Sequence, residues 1–60
     1  MKVGQIFRMV GKETTYKIAL ETDGILYMST SQNFGMKMIP RERLEMWLAM
    51  GIWEEVMNIE

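Results

Sequence analysis

Carboxylates are the only realistic metal ligands in this sequence, because histidine and cysteine are both absent. Two pairs of glutamates are close along the chain: Glu42 and Glu45 lie three residues apart, and Glu54 and Glu55 are adjacent. Either pair could hold a divalent cation, which prefers oxygen ligands. The spaced Asp- and Asn-rich loop that makes such a site specific is missing, so solvated faces explain these residues better. We predict no metal and no cofactor.

Motifs for nucleophilic catalysis and for phosphate binding are missing as well. Serine and threonine cluster at 29–31, but no histidine can serve as their base and no pattern places a lysine beside them. Gly35 precedes Met36 and Lys37 without the surrounding glycine-rich loop of a phosphate cradle, and no serine or threonine follows the lysine. We therefore predict that the protein is not an enzyme and has no catalytic residues.

The elements that would position a binding site must come from one small domain, residues 1–60. Of the 60 residues, 48% are hydrophobic, which is typical of a globular domain. A chain this short buries only about 60% of the surface that its unfolded form exposes, so its core is thin. Methionine is over-represented, with eight residues. Its flexible side chain fills gaps in cores and also suits adaptable binding surfaces.

The charge pattern argues against nucleic acid and membranes as the main partners. The net charge is −1, and lysine and arginine do not cluster as they do on a surface that follows phosphates. We expect no secretory signal, and no stretch of the sequence approaches the roughly 20 apolar residues of a membrane span. We predict a cytoplasmic protein without a membrane partner.

The first twenty-four residues indicate antiparallel strands. A first strand is predicted within 3–10, followed by a polar turn at 11–13 that contains a glycine. From Thr15 to Glu21 the sequence alternates, and this pattern places three apolar side chains on one face: Tyr16, Ile18 and Leu20. The Asp23-Gly24 pair then favours a type I′ hairpin turn, because that turn needs positive φ at both central residues.

Two more strands and a helix are predicted after that turn. Residues 25–30 should pair back on the preceding strand, and 34–39 should form a fourth strand with Phe34, Met36 and Met38 on one face. Pro40 suits the first position of a helix. The helix is predicted over 41–50, and its core-facing side chains share one arc: Leu44, Trp47 and Leu48.

For the end of the chain, the sequence leaves two secondary structures open. Gly51 is placed to end the helix in the left-handed conformation. Residues 52–57 favour a short final strand, with a further helical turn as the alternative. The predicted fold is therefore α+β, an antiparallel sheet of four or five strands with one helix packed on it. Its predicted core, besides the helix, consists of Ile6, Tyr16, Ile18, Leu20, Leu26, Phe34 and Met36.

This order of elements, with two tight turns and a helix before a final strand, resembles that of SH3-like small barrels. The resemblance implies a module that binds peptides, proteins or nucleic acid, and it concerns the fold alone. The compact, cysteine-free format also resembles, in type, the small accessory proteins with which bacteriophages bind and redirect host machinery. Both resemblances favour a binding function.

The predicted partner-binding residues are Met46, Met50, Trp53 and Arg43. Met46 and Met50 are one helical turn apart and fall outside the core-facing arc, toward Arg43. Three explanations are open: the segment around Trp53 covers both methionines, a second copy of the chain meets them across a two-fold axis, or another protein does. We predict a protein-binding module, a phage-type inhibitor or adaptor acting on a host protein, with a homodimer as an additional state.

A small nucleic-acid-binding domain is the alternative function. Exposed aromatic and basic side chains on a small sheet can stack bases and follow a phosphate backbone. The residues available for this lie in the predicted sheet: Lys2, Phe7, Arg8, Lys12, Tyr16, Lys17, Tyr27, Phe34 and Lys37. The alternation separates Tyr16 from Lys17, however, and the low net charge weakens the electrostatic attraction.

Overall fold

The computed structural model describes residues 1–31 and 35–57 and contains five strands and one helix. The strands are β1 (Ile6–Met9), β2 (Thr15–Thr22), β3 (Ile25–Thr30), β4 (Met36–Pro40) and β5 (Trp53–Val56), and the helix is α1 (Arg41–Met50). The predicted α+β class, the helix at 41–50 and the final strand are confirmed. The prediction for Phe34 lies outside the described residues.

All five strands form one antiparallel sheet in the order β4-β3-β2-β1-β5. The helix leaves one edge strand, β4, and leads into the other, β5, and it packs against both. Within the described residues β4 and β5 do not pair with each other, so the sheet is open and α1 lies between its two edges. The side of the sheet that faces α1 is called the inner face here, and the opposite side the outer face.

The hairpin between β2 and β3 is as the sequence predicts. Asp23 and Gly24 both have positive φ, at 53° and 74°, and Thr22 pairs with Ile25 across the two-residue turn. These angles match a type I′ turn, whose twist follows that of the flanking strands. The local sequence therefore sets the register at this end of the hairpin.

A β-bulge in β2 changes which side chains point inward. Ile18 pairs with Met28 but Leu20 pairs with Tyr27, so β2 has one extra residue, Ala19. Because side chains alternate along a strand, the extra residue turns Leu20 to the outer face. Leu20 is 51% exposed, and its predicted place in the core is wrong.

In β4 the inward position belongs to Ile39 and not to the methionines. Ile39 pairs with Leu26, and both are buried. Met36 and Met38 therefore lie on the outer face, where they are 56% and 65% exposed. The predicted core position of Met36 is wrong, because the pairing of β4 with β3 puts the odd-numbered residues of β4 inward.

Helix α1 begins at Arg41, as predicted, and Pro40 lies just before the first helical position instead of occupying it. Pro40 ends β4 and is the N-cap residue, with extended ψ of 135°. At the other end Gly51 is left-handed, with φ of 79°, as predicted. The Gly51 N–H donates to the Leu48 carbonyl and the Ile52 N–H to the Trp47 carbonyl, each at 3.1 Å. These two bonds satisfy carbonyls that the end of a helix leaves free.

The core lies between the inner face of the sheet and α1. Its buried members come from every strand and from the helix: Phe7, Ile18, Leu26, Met28, Ile39, Leu44 and Trp53. Packed against them are four partly buried side chains: Met1, Tyr16, Trp47 and Leu48. Ile6, predicted to belong to the core, is only half-buried. Burying one large apolar side chain stabilises the fold by about 1.5–3 kcal/mol.

Candidate binding surface

Helix α1 has an apolar face that nothing in the described chain covers. Leu44 points into the core and is completely buried, whereas Met46 and Met50 are 52% and 63% exposed. Arg43 is exposed beside them and has no ion-pair partner among residues 1–31 and 35–57. We call Arg43, Met46 and Met50 the outward helix face.

A shallow depression lies at the start of this face. It has a volume of about 270 Å³ and is lined by Pro40, Glu42, Arg43 and Met46. Its lining combines apolar groups with one group of each charge. The depression is open and wide, so it suits a side chain from another macromolecule better than it suits an enclosed small molecule.

Trp53, the fourth predicted partner-binding residue, is placed in the core. It is only 5% exposed and lies between two other rings. Its ring centroid is 5.1 Å from that of Tyr16 and 5.4 Å from that of Trp47, with which it is stacked. Such ring pairs add about 0.5–1.5 kcal/mol each to the burial term. The final strand thus completes the core without covering Met46 and Met50.

A second apolar surface, on the outer face of the sheet, was not predicted from the sequence. Leu20 lies opposite Tyr27, and Tyr27 lies opposite Met38, so the three form one row across β2, β3 and β4. Leu20 and Met38 are exposed and Tyr27 is half-buried. The bulge at Ala19 turns Leu20 outward and so creates this row. The sequence pattern of β2 does not predict the bulge.

The basic and aromatic residues of the nucleic-acid alternative are divided between the core and the two faces of the sheet. Phe7 is buried. Tyr16 packs against Trp53 on the inner face, and the Lys37 ammonium lies 5.9 Å from the centroid of its ring. Lys17 is exposed on the outer face, since strand residues alternate. Phe34 lies outside the described residues.

Glu54 and Glu55, one of the two glutamate pairs considered as metal ligands, are separated by the strand alternation. The Arg8 Nε donates to Glu54 Oε2 at 2.6 Å on one side of β5. The Gln5 Nε2 donates to Glu55 Oε2 at 3.2 Å on the other side. Across the ranges 1–31 and 35–57, no three acidic side chains group closely enough to hold a metal ion.

Comparison with known proteins assigns the chain to no group. The chain matches no protein-family model, no curated protein and no solved structure. In the part of the chain that the structure describes, no helix is long and apolar enough to cross a membrane. The function therefore has to be inferred from the surfaces themselves.

Proposed function

We propose that this protein is a non-catalytic protein-binding module that acts through its outward helix face. The observation that carries the proposal is that Met46 and Met50 are more than half exposed on a helix whose opposite face is packed. Exposed apolar groups that lie together are typical of interaction sites, and methionine adapts its shape to a partner. Arg43 adds a charged group at the rim, where it would favour an acidic residue of the partner.

The size of the chain indicates how such a module would act. A domain of 60 residues can change the activity of a larger protein by occupying part of its surface. We therefore propose an inhibitor or adaptor that acts on another protein in the cytoplasm. Complete burial of one methionine contributes about 1.5–3 kcal/mol, and 1.4 kcal/mol is a tenfold change in affinity.

Capture of partners from an extract of the source cells tests this proposal. The tagged chain is compared with the double variant Met46→Glu and Met50→Glu, with captured proteins quantified by mass spectrometry. Placing two carboxylates in an apolar interface should lower the capture of the specific partner at least about tenfold. Both positions are exposed, so circular dichroism should show an unchanged fold.

The matched control is Leu20→Glu. Leu20 is 51% exposed, close to the 52% of Met46, but it lies on the outer face of the sheet. This variant should capture the same proteins as the unaltered chain. If the helix double variant keeps every partner that the unaltered chain captures, the outward helix face is not the binding site.

A further inference from the structure

One hydrogen bond shows how the backbone of edge strand β4 is oriented. The Arg41 N–H donates to the Gly24 carbonyl at 2.8 Å, immediately beyond the pair that Ile25 forms with Pro40. In an antiparallel ladder a bond of this kind flanks a pair that exchanges no hydrogen bonds itself. The backbone of Pro40 is therefore not directed at β3, and along β4 this direction alternates from one residue to the next.

Two residues of β4 consequently direct their backbone groups away from the sheet. Residues 37 and 39 exchange hydrogen bonds with β3. Met36 and Met38 instead each point an N–H and a C=O outward. Pro40 adds nothing to this edge, because it has no N–H and, as the N-cap of α1, its carbonyl accepts the first hydrogen bond of the helix. Within residues 1–31 and 35–57, nothing bonds to the outward groups of the two methionines.

These outward groups are complementary to an extended polypeptide. A row of backbone donors and acceptors at a sheet edge is recognised by a strand, whose own N–H and C=O groups have the same spacing. The side chains beside the row fit the same kind of ligand. Met36 and Met38 are 56% and 65% exposed on the outer face, so they offer apolar contacts to alternate residues of an added strand.

The charge of Lys37 determines which residue is favoured at the middle of an added strand. Its side chain is exposed on the inner face, and no carboxylate within residues 1–31 and 35–57 forms an ion pair with it. The ammonium lies 5.9 Å from the centroid of the Tyr16 ring, a contact that is weak at an exposed site. Side chains directly opposite each other on two strands are close, and opposite charges there are stabilising. An acidic residue is therefore favoured opposite Lys37.

A second copy of β4 does not meet these requirements. In an antiparallel two-fold pair centred on Met38, Met36 lies opposite Pro40 of the second copy, which has no free N–H or C=O. A pair centred on Lys37 uses every outward group, but it places the two lysines directly opposite each other, which is destabilising. The edge therefore favours a strand from a different chain.

Edge strand β5 does not offer a comparable site. Two of its four residues, Glu54 and Glu55, are charged, against one of five in β4. Charged side chains along an edge are a common natural means of preventing the addition of a further strand. Both glutamates also already accept hydrogen bonds, from Arg8 and Gln5.

We propose that β4 is a docking site for an extended segment of another protein, which adds to the sheet as a sixth strand. The segment places an acidic residue opposite Lys37 and an apolar residue on either side of it, next to Met36 and Met38. Because the outward groups end at Pro40, the ladder is short, and we expect the segment alone to bind weakly. This inference rests on β4 and is independent of the proposed function of the outward helix face.

Titration of the ¹⁵N-labelled chain with two designed peptides, followed by NMR, tests this docking site. Both peptides are short, have blocked ends and carry a valine on either side of the central residue, with threonines elsewhere. The central residue is glutamate in one peptide and lysine in the other. The glutamate peptide, added to about 5 mM, should shift the amide signals of Met36 and Met38 most, because their N–H groups gain hydrogen bonds. The lysine peptide should bind at least about threefold more weakly.

Reversal of the charge at position 37 tests the central contact. In Lys37→Glu the preference should reverse, so that the lysine peptide binds more tightly than the glutamate peptide. Lys12→Glu is the matched control, since it changes the net charge equally at an exposed residue between β1 and β2. The control should keep the preference for the glutamate peptide.

Removal of one outward N–H tests the backbone contact. Met38→Pro deletes a donor that β3 does not use, and proline is tolerated at such positions of edge strands. The sheet should therefore persist, while the binding of the glutamate peptide should weaken about fivefold. If this variant does not fold, the charge reversal at Lys37 still decides the question.

Three results would overturn the proposal. The first is that neither peptide shifts the amide signals of Met36 and Met38 at up to about 5 mM. The second is a preference between the peptides that Lys37→Glu leaves unchanged. The third is a shift of the same amide signals when the chain alone is concentrated, which would assign β4 to a second copy. The double variant Met46→Glu and Met50→Glu should bind both peptides normally, so this test is separate from that of the outward helix face.

Discussion

The core-facing side of α1 and its outward helix face both carry large apolar side chains, but these side chains have different roles. Leu44 points toward the sheet and is completely buried in a core to which every strand contributes, whereas Met46 and Met50 point away and are more than half exposed. A thin core in a 60-residue chain benefits from every apolar side chain that can reach it. Met46 and Met50 do not reach the core, and we infer that their exposed side chains serve to bind a partner. The difference makes stability and binding separable by mutation.

Removing the indole at the centre of the core should have the largest effect on stability. Trp53→Ala deletes a side chain that packs against the rings of Tyr16 and Trp47. The expected loss is about 3–5 kcal/mol. A domain of this length has about 3–9 kcal/mol of total stability, so this variant should lose about half of it or more. Urea denaturation followed by circular dichroism measures this; a loss below about 1 kcal/mol would place Trp53 outside the core.

Truncation on the two faces of α1 should give a clear contrast. Leu44→Ala leaves a cavity among buried side chains and should cost about 2–5 kcal/mol. Met50→Ala removes an exposed side chain and replaces it with the best helix former, so the stability should change by no more than about 0.5 kcal/mol. Thermal unfolding of both variants tests the comparison. Equal losses in the two variants would mean that Met50 is packed and unavailable to a partner.

Substitutions at the two residues that flank the bulge in β2 should have the smallest effects on stability. They compare an outer-face position with a core position on the same strand. Leu20→Thr changes an outer-face residue and should alter stability by less than about 0.5 kcal/mol. The much milder change Ile18→Val, in the core, should still cost about 0.5–1.5 kcal/mol. If Leu20→Thr is the more destabilising of the two, β2 has no bulge at Ala19 and Leu20 faces the core.

The features that the sequence predicts well depend on neighbouring residues. The turn at Asp23-Gly24 and the helix end at Gly51 both require positive φ, which the sequence shows through residue type alone. The boundaries of α1 follow from Pro40 and Gly51 on either side of a helical pattern. These elements form wherever the local chain favours them, so their prediction needs no knowledge of the tertiary structure.

The wrong core predictions, for Leu20 and Met36, concern residues whose orientation depends on the pairing register of the strands. The alternation of β2 predicts Leu20 inside, but the pairing with β3 inserts Ala19 and reverses the face. In β4, Met36 and Met38 alternate with Lys37 and Ile39, and the register with Leu26 decides which of the two sides is buried. Register depends on contacts between distant parts of the chain, so a pattern within one strand cannot determine it.

For the candidate site, too, the sequence predicts what depends on local spacing and does not predict what depends on tertiary contacts. The helical spacing places Met46 and Met50 together, on the side of Arg43, and the structure leaves all three exposed. The position of Trp53 depends on the pairing of β5 with β1 and on stacking with Trp47. A residue that follows a helix can return to the core or stay on the surface, and the sequence alone does not distinguish the two.

The most direct test of the outward helix face uses the methionine methyl groups as probes. NMR spectra of the chain labelled with ¹³C at the methionine methyl groups would be recorded with and without the protein that it captures. We predict that the signals of Met46 and Met50 shift or broaden on addition of that partner, while the signal of the buried Met28 changes little. Strong changes at Met9 or Met57, with Met46 and Met50 unchanged, would contradict a binding function for this face.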